Sequence, residues 1–134
     1  MLTKAEIEQF AKEGPAVHQF SIRAWGGKTV CLRELDGLQS LEWDMAQMDR
    51  HKDPAFSARN GTGAEHLVQL CLVDPETKQP MFLPSDRIGI IRSFGGALQE
   101  LYNRCTAINR FRLIDTEDTE KKSSDTPSSD SSAT

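Results

Sequence analysis

Residues 16–36 read AVHQFSIRAWGGKTVCLRELD, and this stretch decides the fold class. In 16–24, Phe20 and Ile22 alternate with Gln19, Ser21 and Arg23; in 28–35, Val30 and Leu32 alternate with Thr29, Cys31 and Arg33. Successive side chains on a strand point to opposite faces, so this alternation predicts two strands, each with a buried face and a wet face. Trp25-Gly26-Gly27 lies between them, and two glycines supply the positive φ values that a tight turn requires. The reading is an antiparallel hairpin. Asp36 and Gln39 then have the spacing of a capping box, in which side chains at a helix start satisfy backbone donors that have no partner inside the helix.

Working outward, Thr3 and Glu6 form the same signal for a short first helix, with Ile7, Phe10 and Ala11 on its apolar face and Gly14-Pro15 at its end. After Asp36 a helix is expected over about residues 37–50. Leu38, Leu41, Met45 and Met48 fall on one stripe of it, with Trp43 on a different face. Residues 51–63 read as a loop because they contain Asp53-Pro54, Asn60-Gly61 and Gly63. A third helix follows from Ala64 to Leu72, with Leu67, Leu70 and Cys71 inward. Leu72-Val73 and Pro80 to Leu83, with Asp74-Pro75 between them, then suggest a small second hairpin, kept to a sheet edge by Pro75 and Pro80. Ser85-Asp86 caps a short helix carrying Ile88 and Ile91, Ser93 to Gly96 interrupts it, and a longer helix ends near Asn109. Ile91, Phe94, Leu98, Leu101, Cys105 and Ile108 step by the alternating three and four of a helix seam. The expected fold is α+β: small antiparallel hairpins packed against four to five short helices.

Charge divides the chain. Residues 115–134 hold six acids and two bases, a net of -4, which equals the net charge of all 134 residues. Residues 1–114 are therefore neutral as a whole, so the expected domain has no general field to attract nucleic acid. The last twenty residues are Ser, Thr, Asp, Glu and Lys with almost nothing apolar. They cannot bury enough surface to offset their ordering entropy, and a disordered acidic tail over 115–134 is expected beside a domain over 1–114. Deleting 115–134 should leave the melting temperature nearly unchanged, which differential scanning calorimetry would show. Three widely spaced cysteines do not suggest a disulfide framework. No secretory leader and no run of about 20 apolar residues is present, so a cytoplasmic chain that does not enter a membrane is expected.

The chemistry that the residues offer is sparse. No Cys-x-x-Cys or His-x-x-x-His spacing occurs among Cys31, Cys71, Cys105, His18, His51 and His66, so no metal site is expected. His66 reads as a surface histidine and the three cysteines as packing residues. The glycine pairs lack the Lys-Ser/Thr of a phosphate loop and the strand-Gly-helix setting of a dinucleotide fold. No catalytic residue and no cofactor is expected.

One resemblance accounts for the order of the motifs. Trp25-Gly26-Gly27, Val30 and Leu32-Arg33-Glu34-Leu35-Asp36-Gly37 resemble the start of a phage tail assembly chaperone, of a long-tailed phage or prophage, where a strand, a Trp-Gly-Gly turn and a second strand lead into a helix. Leu70-Cys71-Leu72-Val73-Asp74, a turn and Pro80-Met81-Phe82 follow as in that family, then an acidic helix start at Asp86 and a helix ending in Ile108-Asn109. The likeness covers about residues 16–110. The chain departs from the pattern at Pro75-Glu76-Thr77-Lys78, where Asp-Gly is usual, and in the composition of 51–63.

The resemblance implies a non-enzymatic chaperone that binds the long helical tape measure protein, helps to recruit the tail tube protein, acts in the host cytoplasm and is absent from the finished particle. Some members of the family also have a longer, frameshifted product. It implies no cofactor, nucleic acid or membrane, and leaves a homo-oligomer open. The residues expected to meet the partner are Phe94, Leu98, Leu101, Tyr102 and Ile108 on the last helix, with Met45 and Met48 as adaptable contacts. A structural minor tail or connector component of the particle and a small enzyme stay open as other readings.

Overall fold

The structure is a computed structural model that describes residues 1–109; the expected acidic tail and the domain limit at 114 lie outside the described residues. Helix α1 spans Lys4–Glu13, with Thr3 and Glu6 forming the expected capping box. Strand β1, Val17–Ile22, runs antiparallel to β2, Lys28–Arg33, with Phe20 opposite Val30 and Ile22 opposite Lys28. A single 3₁₀ turn over Arg23–Trp25 joins them, and Gly26 and Gly27 take φ values of 67° and 79°. Both angles lie where a side chain would be strained, which is why glycine stands there. The hairpin is the one read from the alternation.

Helix α2, Gly37–Lys52, starts at the Asp36–Gln39 capping box. The segment read as a loop holds a further helix, α3, Pro54–Asn60. Asp53-Pro54 was expected to break the chain, but Asp53 accepts from the Ala55 N–H and proline at the first helical position has no donor to lose. Asp-Pro is thus the sign of a helix start here and not of a loop. Helix α4, Gly63–Cys71, begins at a capping box of Thr62 and Glu65 and passes directly into β3, Leu72–Val73.

The second hairpin is present in short form at the sheet edge, and its first strand also joins the first hairpin: the Asp74 N–H donates to the Gln79 carbonyl at 2.9 Å and the Met81 N–H to the Leu72 carbonyl at 3.0 Å. β3 pairs antiparallel with β2, giving a sheet in the order β1-β2-β3, and on its other side Val73 bridges Pro80. The last helices are α5, Asp86–Gly89, a 3₁₀ turn over Ile91–Phe94, and α6, Gly96–Asn109. Ser85 makes no capping bond; Asp86 instead accepts from the Leu83 N–H. Among the described residues there are six α-helices, α3 being the one beyond the expected four to five.

The core lies between the sheet, α4 and α6. Ile22, Leu32, Leu67, Val68, Cys71, Ile91, Leu101 and Cys105 are sealed in it. Helix α4 is enclosed on every side, with Glu65 to Cys71 all buried. Gly61, which ends α3, has φ +89°, and a Cβ there would stand 3.1 Å from the Arg87 Cβ and 3.3 Å from Glu65 Oε1. Gly61→Ala should therefore cost about 1–3 kcal/mol, read as a lower midpoint in urea denaturation.

Candidate partner-binding surface

The seam expected on the last helix turns toward the core. Leu101 and Cys105 have no accessible surface, and Ile91, at the start of the seam, has none either. Phe94 stands edge-on to Trp25 at 5.1 Å and to Phe82 at 6.0 Å between ring centroids. Leu98, Tyr102 and Ile108 are half-buried against the same cluster. Leu101 is thus a core residue, and Phe94, Leu98, Tyr102 and Ile108 present only part of themselves. The break at Gly95, φ +67°, lets the 3₁₀ turn and α6 both reach the core. Glu100 accepts from the backbone N–H groups of Arg23 and Ala24 at 2.7 and 3.1 Å, and these bonds hold its carboxyl below the usual range. On this side α6 is polar: an open groove of about 620 Å³ is lined by Arg23, Gln99, Glu100, Asn103 and Arg104.

Helix α2 has the opposite arrangement. Only Trp43 and Ala46 are buried, and they face α4 and the core. At 100° per residue, Leu38, Leu41, Met45 and Met48 project from the far side of the cylinder. Their exposures are 65%, 56%, 57% and 59%, so a continuous apolar stripe faces outward. Isolated exposed apolar residues are ordinary, but four in register on one helix form a patch that normally marks an interaction site. Met45 and Met48, expected as adaptable contacts, belong to this exposed stripe. Leu38 and Leu41 were visible as part of the stripe but not as part of the surface. Helix α1 is also unburied along its length, with Ile7 53% and Phe10 58% exposed, so among the described residues the apolar face read in its sequence meets no core.

A buried polar cluster, missed in the sequence, fixes α2 to the rest. Arg50 of α2 donates from Nε to the Gly61 carbonyl at 2.9 Å, from Nη1 to Gln47 at 2.7 Å, and pairs through Nη2 with His66 Nδ1 at 3.2 Å. Arg87 donates to Gln69 Oε1 at 3.1 and 2.8 Å, and Gln69 donates to the Phe82 carbonyl. Arg92 makes a bidentate pair with Glu65 at 2.6 and 2.9 Å, and its guanidinium holds the buried carboxyl below the usual range. His66, expected at the surface, is buried because α4 is covered on all sides. Thr62-x-x-Glu65 carried a capping signal, but nothing local in the sequence announces the burial of His66.

Burial, then the charges of Arg87 and Arg50, lower the pKa of His66 from 6.5 to about 3. The unfolded chain takes up this proton below about pH 6.5 while the native state refuses it, so the stabilising effect of a neutral His66 is lost as pH falls toward 3. Between pH 7 and 5 the cost is about 2 kcal/mol, from about 1.4 kcal/mol per pH unit below the unfolded-state value. Thermal melts should show this fall, and His66→Gln, which keeps an acceptor for Arg50, should flatten it.

All three cysteines are buried, and contact with Cys71 together with burial pushes the Cys105 thiol well above its ordinary range. Among the described residues no three His, Cys, Asp or Glu side chains come together to hold a metal ion, and no helix is long and apolar enough to cross a membrane.

No family model matches the sequence, and no curated protein does. A solved structure does match the chain. The structure of the bacteriophage HK97 tail assembly chaperone superposes with a TM-score of 0.51 at 20% identity, over 79% of this chain and 95% of that one. The fold is that of a phage tail assembly chaperone. The tail assembly chaperone fold agrees with the resemblance carried by Trp25-Gly26-Gly27 and the segments after it. At this identity it is the architecture that is shared.

Proposed function

We propose that this chain is a non-enzymatic chaperone of phage tail assembly that binds apolar helices of the tape measure protein. The observation that carries the reading is the outward stripe Leu38, Leu41, Met45 and Met48, on a helix anchored from behind by Trp43, Ala46 and Arg50. A holdase needs apolar surface that stays exposed without unfolding its owner, and this stripe is outside the core. Thioether side chains suit such a surface because they repack against varied partners. The likeness to a solved tail assembly chaperone supports the same reading. On this reading the protein works in the host cytoplasm, helps to bring the tail tube protein to the complex, and leaves before the particle is complete.

The other reading, a minor tail or connector component, differs in where the protein ends up. Quantitative mass spectrometry of infected cells and purified particles separates the two. The chaperone should be abundant in cells during assembly and missing from particles. A fixed number of copies in every particle would overturn the proposal.

A further inference from the structure

The geometry points to a specific chemistry for the occupant of the α2 stripe: an amphipathic helix whose apolar seam is flanked by Lys or Arg. The inference rests on the proposed function and adds the charge and shape of the segment recognised. Leu38, Leu41, Met45 and Met48 are spaced three, four and three residues apart, the register that meets the a and d positions of a second helix. Four such residues span about 15 Å along the helix axis, enough for two turns or more of a partner.

The flanks of this seam are acidic. From Gly37 to Asp49, α2 carries Glu42, Asp44 and Asp49 and no Lys or Arg. All three acids are exposed. At 100° per residue Glu42 and Asp49 fall along one edge of the seam and Asp44 along the other, the places of e and g charges in a helix pair. Among the described residues the side chains of Asp44 and Asp49 make no hydrogen bond or ion pair, so their charge is available to a partner. Glu42 is partly offset by the charge of Arg87, so Asp44 and Asp49 supply most of the negative charge beside the seam. Arg50 turns inward to Gly61 and His66, leaving His51 and Lys52 as the exposed basic groups at the helix end. An acidic helix on this seam would set like charges side by side, and a basic one would set opposite charges there.

Two synthetic three-heptad peptides test this, both with Leu at a and d, one with Lys and the other with Glu at e and g. Titrated into the full chain, the Lys peptide should bind about tenfold tighter or more, and salt between about 0.05 and 0.5 M should narrow the gap. The triple variant Glu42→Lys, Asp44→Lys, Asp49→Lys should prefer the Glu peptide instead. The variant Leu41→Asp, Met45→Asp should lose both peptides while keeping its circular dichroism spectrum. Equal binding of the two peptides, or binding that survives Leu41→Asp, Met45→Asp, would overturn the inference. So would a concentration-dependent dimer of the wild-type chain that this variant abolishes, because the occupant would then be a second copy. Capture of the tape measure protein by wild-type chain is read separately. Its success alongside indifferent peptides sinks this inference alone, whereas its failure sinks the proposed function.

Discussion

Leu101→Asp should leave the domain unfolded at room temperature. Leu101 has no accessible surface and sits in the cluster with Ile22, Leu32, Leu67 and Cys71. Truncating a buried leucine costs about 2–5 kcal/mol by itself, and an unpaired carboxylate in the same place adds several more. A small domain has about 5–15 kcal/mol in total. Circular dichroism should show loss of helix, and size exclusion should show an expanded or aggregated chain. A folded Leu101→Asp protein would mean that the seam of α6 is on the surface after all.

Leu41→Asp with Met45→Asp should give the reverse result. Both residues are more than half exposed, so the pair should change folding stability by no more than about 1 kcal/mol. Partner binding should fall more than about a hundredfold, because two anchors at the centre of an apolar interface are each worth about 2 kcal/mol. The check is a melt and a binding titration on the same preparation. Together with Leu101→Asp, it separates the helix that holds the fold from the helix that offers surface.

This separation could not be read from the sequence, and the reason is physical. Periodicity shows that a helix has an apolar stripe but not whether the stripe meets its own core or another chain. The six-residue rhythm from Ile91 to Ile108 and the four-residue stripe of α2 look alike on a helical wheel. The structure sends the first inward and the second outward. What decided α2 was the pair Trp43 and Ala46 on its other face, two residues that gave a weaker pattern than the stripe opposite them.

Local signals served better. The hairpin with its Trp25-Gly26-Gly27 turn and the capping boxes at Thr3 and Asp36 depend on neighbours within a few residues, and the structure contains them. α3 was missed because Asp53-Pro54 is compatible with both a loop and a helix start. His66 and its arginines were missed because their meeting depends on α2, α4 and α5 converging, and no spacing in the chain encodes that.

The account stands or falls on whether the exposed face of α2 keeps a helical partner in solution. The direct measurement is the soluble fraction of the phage tape measure protein expressed alone, with this chain, and with its Leu41→Asp, Met45→Asp variant. The account predicts aggregation in the first case, a soluble complex that co-purifies in the second, and aggregation again in the third. A tape measure protein that stays insoluble beside the folded wild-type chain, or that the variant rescues equally well, would contradict it.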